Sequence, residues 1–152
     1  MSATEFTREL NRQRVDYELI AHPHTESAYE EALEVGLAEV GKTIVVSTKG
    51  GFVRAVLPAP DRLDLHKLRT ALGVHEARLA TESELADLYP MFELGAVPPF
   101  GGPSTDRTIV DRQLATRDSV VLDAGSHERS VRLKTRDLLR LSEALIADIC
   151  QQ

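Results

Sequence analysis

Two hydrophobic periods alternate along the chain. Residues 43–47, TIVVS, form a continuous β-branched run bounded by Gly41 and by Lys49-Gly50-Gly51. That run predicts a buried strand, and the Gly-Gly turn returns the chain into Phe52–Leu57 as a hairpin partner. Pro58 and Pro60 close the pair. Shorter runs predict strands at Tyr17–Ala21, Ala77–Ala80, Ile109–Val110, Ser119–Leu122 and Ser130–Leu133. Helical spacing is found between them. A short polar helix is expected over Thr4–Arg14, and Ser27 can cap a helix through Val35 with Gly36 as its stop. Leu65, Leu68 and Leu72 precede Gly73, and Thr81 or Ser83 caps a helix ending at Tyr89-Pro90. Thr135 caps a final helix whose Leu138, Leu139, Leu141, Leu145, Ile146 and Ile149 form a broad apolar stripe.

Interleaved strands and helices with hairpin turns imply an α/β (α+β) domain. Its sheet is mixed rather than purely parallel, with helices packed around it. The 152 residues suit a single domain, 1–152, and no repeat or interior linker divides them. Apolar residues at 42% and charged residues at 28% are the balance of an ordinary globular protein. The sole cysteine, Cys150, allows no internal disulfide, which fits a reducing compartment. No run approaches the roughly 20 apolar residues of a membrane span, and the N-terminus lacks a signal-peptide core. A cytoplasmic protein with no membrane partner is expected.

The net charge of −6 argues against broad wrapping of DNA or RNA, which needs a basic face. It leaves room for contact with one short nucleic-acid end through a local cationic group, for which Lys49, Arg54, Lys67 and Arg69 are candidates. The oligomeric state is not legible.

The usual catalytic signatures are missing: no Gly-x-Ser-x-Gly, no phosphate-cradling glycine motif ahead of a helix, and no Cys-x-x-Cys. Cys150 has nothing nearby in sequence to lower its pKa. His22 and His24, spaced i, i+2 after a strand, can start a metal site with His127 or serve a polar pocket, but a full ligand set is not evident. Neither a metal nor a cofactor is expected. Lys42 stands at the mouth of the TIVVS strand, where it is a solvated strand end or a fixed charge aimed at a carbonyl, carboxylate or phosphate.

The segment ELGAVPPFGG, residues 93–102, is the most unusual. Pro98, Pro99 and Pro103 donate no hydrogen bonds, and Val97 and Pro98, each preceding a proline, are pushed toward extended geometry. Donors remain on Gly95, Ala96, Val97, Phe100, Gly101 and Gly102, and the glycines permit close approach. Such a backbone suits an oxyanion or a ribose, or is a structural turn. Asp123-Ala124-Gly125-Ser126-His127 is either a hairpin loop or a second ligand-facing turn.

Together VGKTIVV at 40–46, AVLPAPDRLDLHKL at 55–68, GAVPPFG at 95–101 and DAGSH at 123–127 resemble, in order, the YbaK/EbsC/ProX family of aminoacyl-tRNA editing domains. The resemblance implies a barrel-like mixed sheet and hydrolysis, in trans, of the ester joining a mischarged amino acid to tRNA. The implied partner is the acceptor end of an aminoacyl-tRNA. Lys42 falls on the family's lysine, and Gly95 and Pro99 on its Gly-x-x-x-P loop. His127 matches a histidine of alanine-removing relatives, whereas His22 and Ser130 replace a tyrosine and an acidic residue of cysteine-removing ones. The expected mechanism has water attack the ester while backbone N–H groups of residues 95–101 meet the oxyanion. Lys42 holds the substrate, Asp111 or His127 orients it, and Ala96, Val97, Pro98, Phe100, Gly101 and Gly125 line its pocket. A non-catalytic module that binds an aminoacyl-tRNA end, an aminoacyl-adenylate or a protein is the alternative.

Overall fold

The computed structural model describes residues 2–21, 39–102 and 106–152. The predicted helix at 27–35, together with His22, His24 and Pro103, lies outside the described residues. Helix α1 (Ser2–Arg12) leads into β1 (Tyr17–Ala21). The predicted hairpin is present as β2 (Gly41–Thr48) and β3 (Gly51–Pro58), antiparallel, with Val45 opposite Arg54. Then come α2 (Leu65–Leu72), β4 (Ala77–Leu79) and α3 (Glu82–Leu88). Strand β5 (Arg107–Asp111), the short α4 (Arg112–Ala115), β6 (Ser119–Ser126), β7 (Arg129–Lys134), α5 (Thr135–Ser142) and β8 (Leu145–Ala147) complete the chain.

Local chemistry accounts for the helix ends. Asp64 caps α2 through the Lys67 N–H, and Gly73 closes it at φ 70°. Thr81 and Glu84 form a reciprocal capping box on α3.

Among the described residues the strands form two sheets and no closed barrel. One has five strands in the order β4-β2-β3-β5-β8, and the other has three in the order β1-β7-β6. The five-stranded sheet is mixed, as expected: β2, β3 and β4 pair antiparallel, while β3-β5 and β5-β8 pair parallel. Among the described residues an isolated bridge, Val40 to Val121, joins β2's approach to the smaller sheet, and the expected barrel-like closure is not seen. The C-terminal reading also needs correction. The apolar spacing runs on past Leu141, but Glu143 adopts φ 50° and ends α5, and residues 145–147 pair with β5 as a strand. Lys134, not Thr135, is the cap residue.

Strand β3 is buried on both faces. On one, Val56 packs with Val110, Leu122, Val131 and Leu133, and with Phe6 and Leu10 of α1. On the other, Val53, Ala55 and Leu57 meet Leu63, Leu68, Ile149 and Cys150. Burial of these aliphatic groups, at about 25 cal/mol per Å² of apolar surface, is the main force joining the layers. Among the described residues no helix is long and apolar enough to cross a membrane.

Candidate active site

The proline loop lies on the first of these faces and has two halves. Its inner half is anchored from behind by a buried cation. Arg54 is 1% exposed, and its guanidinium donates to the Pro98 carbonyl at 3.0 Å, the Gly101 carbonyl at 2.7 Å and the Tyr89 hydroxyl at 3.2 Å. Thr108 donates to the Pro99 carbonyl at 2.9 Å. Tyr89 stacks under the guanidinium, 4.6 Å from its ring centroid, and donates to the Asp106 carboxylate. The buried charge is thus balanced through one tyrosine, as a charge in a dry interior requires. Burial pushes the Tyr89 pKa upward, partly offset by Arg54. Phe100 packs on Phe6 with ring centroids 5.1 Å apart. Pro98, Pro99 and Phe100 are consequently buried, and none of them lines the cavity described below.

The outer half is stitched to the β6-β7 turn. Glu93 N–H donates to the Gly125 carbonyl at 2.9 Å, and His127 N–H donates to the Glu93 carboxylate at 3.1 Å. The His127 ring meets the Leu94 carbonyl at 2.5 Å and lies so close to Gly95 that a Cβ there would stand 3.2 Å from it. Gly95 also adopts φ 81°, a region costly for other residues. Ala96 N–H is taken by the Glu93 carbonyl at 3.0 Å, which removes it from the donors expected for a ligand.

Facing this outer half is a cavity of about 190 Å³, lined by Thr43, Ile44, Val45, Leu79, Ala80, Leu85, Gly95 and Val97. It opens beside β2 because β4 pairs only with Val46–Thr48, leaving the first half of β2 outside that ladder. Thr43 has the only polar side chain in this lining.

His127, distant in sequence, is brought against Gly95, which lines the cavity together with Val97. Lys42 stands immediately before the lining. Strand alternation turns its side chain to the face of Ile44 and Val46, opposite Thr43 and Val45. It is half-buried, its pKa is lowered by that burial, and the charges acting on it are Asp61, Cys150 and Arg62. Asp111 is fully buried, and its two oxygens accept the Gln113 N–H (2.9 Å) and the Ile149 N–H (3.0 Å). These bonds cap α4 and hold the C-terminal tail. Cys150 is buried beside it, its thiol pushed up to about 12 by burial and by the Asp111 carboxylate. Gly125, at φ 92°, forms the turn that receives Glu93, and Ser130 is buried in β7. Among the described residues no three His, Cys, Asp or Glu side chains group to hold a metal.

Sequence reasoning missed Thr43, Thr108 and the role of Arg54. The signal for Arg54 was a lone cation inside the apolar strand FVRAVL, where burial demands partners.

The chain matches the aminoacyl-tRNA editing domain over residues 22–141. It is 30% identical, over 88% of its length and 84% of the relative's, to the multifunctional Ser/Thr-tRNA deacylase ProXp-y of Escherichia coli K12. Its fold superposes with a TM-score of 0.88 on a candidate trans-editing enzyme for prolyl-tRNA synthetase, at 26% identity and covering 99% and 98% of the two chains. The chain belongs to the family of aminoacyl-tRNA editing domains.

Proposed function

We propose that this deacylase clears a small amino acid, of the size of alanine, serine or threonine, from the 3′ end of tRNA. The carrying observation is the cavity of about 190 Å³ between Thr43 and the Gly95–Val97 wall. At about 30 Å³ per water it holds roughly six water volumes, which suits an amino acid of six to eight non-hydrogen atoms. Its aliphatic lining gives larger side chains no room, while the Thr43 hydroxyl can pair with a substrate hydroxyl. One methylene is worth only about 1–3 kcal/mol in such a pocket, so rejection by size is the stronger sieve.

Water attacks the ester carbonyl carbon, and the N–H groups of Gly95 and Val97 at the cavity wall meet the developing oxyanion. The ester C–O bond then breaks, and the ribose hydroxyl leaves with a proton while the water oxygen stays on the amino acid. An aminoacyl ester is already activated, so no protein nucleophile is needed. Lys42, at the start of β2 but on the opposite face from Thr43, holds the ribose or a terminal phosphate outside the cavity, and His127 braces Gly95 in its required φ. Water can be oriented by the substrate's own hydroxyl or amino group.

A non-hydrolysable seryl analogue, amide-linked to a 3′-terminal adenosine, tests the placement. Amide shifts are expected at Gly95, Val97 and His127, with Lys42→Ala weakening binding about tenfold or more. Shifts confined to other parts of the protein would overturn it.

A further inference from the structure

A second cationic place lies away from the cavity. A groove of about 520 Å³ at the start of α5 is lined by Ala115, Thr116, Arg117, Asp118, Lys134, Thr135, Arg136 and Leu139. Arg117, Lys134 and Arg136 are exposed, and none of them is engaged in an ion pair among the described residues. The cations named from sequence are spent differently: Arg54 is buried behind the loop, and Lys67 is held by Asp148 at 3.0 Å and the Cys150 carbonyl at 2.8 Å. The first turn of α5 has no side-chain cap from Lys134. The Thr135 N–H donates to the Asp118 carbonyl at 3.0 Å, while the following N–H groups lack the partner a cap would supply, and the dipole end favours an anion. Independently of that, Thr135 lines the groove, is 3% exposed, and its hydroxyl has no hydrogen-bond partner. A buried unpaired hydroxyl is costly to keep unless a ligand uses it. Two carboxylates oppose this: Asp118 in the lining, and Asp137, which pairs with Arg140.

Resting on the functional reading above, we propose that this groove docks a backbone phosphate of the tRNA acceptor stem. Geometry supports that source. The groove lies at the Ser119–Lys134 end of the β6-β7 hairpin, and the His127 turn at the other. A strand running from Ser119 to Ser126 spans about 23 Å at roughly 3.3 Å per residue. Nucleotides stacked in A-form RNA advance about 3 Å each, so the groove falls about seven to eight nucleotides from the ester, within a paired stem. Three cations grouped there give an acidic protein its hold on RNA without a basic face.

The test uses the full-length chain carrying Arg117→Gln, Lys134→Gln and Arg136→Gln together, all at exposed positions. With aminoacyl-tRNA, KM is expected to rise on the order of tenfold at moderate salt, and kcat to hold. The slope of log affinity for uncharged tRNA against log salt should fall by about two to three. A 3′-aminoacylated CCA trinucleotide, too short to reach the groove, should be cleaved at the wild-type rate. Thr135→Val should raise the Tm and weaken uncharged-tRNA binding about two- to fivefold. Unchanged tRNA affinity and salt slope would overturn the proposal, as would equal losses on tRNA and trinucleotide. Saturable binding of inorganic phosphate with unchanged tRNA affinity would assign the groove to a small free anion instead. A wild-type protein that cleaves no aminoacyl-tRNA defeats the functional reading alone, because the groove is still judged on uncharged tRNA.

Discussion

The two halves of the proline loop are held by opposite means. Residues 98–101 turn their carbonyls inward onto Arg54 and Thr108, and their bulk is buried against α1. Residues 93–97 are tied by hydrogen bonds to the neighbouring turn, through Glu93, Gly125 and His127, pack Val97 on Val45, Tyr89 and Phe92, and present Gly95 and Val97 to a cavity. The inner half spends its acceptors on the protein so that the outer half can be both stiff and open. Preorganised donors of this kind need no rearrangement as charge develops. The proline rigidity noticed in the sequence therefore belongs mostly to the anchor, and the proposed chemistry to the short glycine-bearing end.

Breaking the anchor should have the largest effect. Arg54→Ala leaves the Pro98 and Gly101 carbonyls and the Tyr89 hydroxyl without their donor, and is expected to cost on the order of 3–5 kcal/mol of stability. Measured at a temperature where the variant is still folded, kcat should fall about a hundredfold. Arg54→Lys, which keeps the charge but lacks the fork, should lose rate more than stability. A stable, fully active Arg54→Ala would remove the anchor from the explanation.

Asp111 sharpens the contrast, since it is an equally buried charge that serves a different backbone. Asp111→Ala orphans the Gln113 and Ile149 N–H groups and should cost about 2–4 kcal/mol in denaturant melts. Its rate per folded molecule should stay within about twofold of wild type. A rate loss in folded protein would return Asp111 to the chemistry.

In the outer half, Gly95→Ala places a Cβ against the His127 ring at φ 81°. A stability loss of about 1–2 kcal/mol is expected, with a rate loss of about tenfold or more in stopped-time deacylation. His127→Ala should relieve part of that loss in the double variant, and failure to do so would detach the histidine from the loop.

The smallest effect lies farthest away. The Cys150 thiol titrates near 9.0 when unfolded and is pushed up to about 12 in the fold. Between those values the unfolded chain releases a proton that the folded one retains. Stability therefore falls as pH rises above 9, by at most about 1.4 kcal/mol per pH unit. Cys150→Ala should flatten that slope in chemical melts at pH 8, 9 and 10, without changing deacylation at neutral pH.

What could be read from sequence follows the range of the interactions involved. The β2-β3 hairpin and the Thr81 cap rest on neighbours within a few residues, and their signals were plain. The tail from Leu145 was read as helix because its apolar spacing continues that of α5, and only pairing with β5 makes it a strand. A barrel could not be told from two sheets because closure depends on pairings between distant strands. The site divided the same way. Gly95 and His127 stood out as turn chemistry, and their convergence was invisible until Glu93 and Gly125 were seen to join. Thr43 looked like one more β-branched strand residue, and Arg54 like a surface cation. Only the tertiary fold gives each its neighbours.

The most direct test is single-turnover deacylation across a panel of aminoacyl-tRNAs at neutral pH. The expected result is enzyme-dependent release of one or more of alanine, serine and threonine at least about a hundredfold faster than of phenylalanine or leucine. Equal release of large and small residues, or no enzyme-dependent release of any, would contradict the cavity beside Gly95 and Val97 as the place where the ester is sorted.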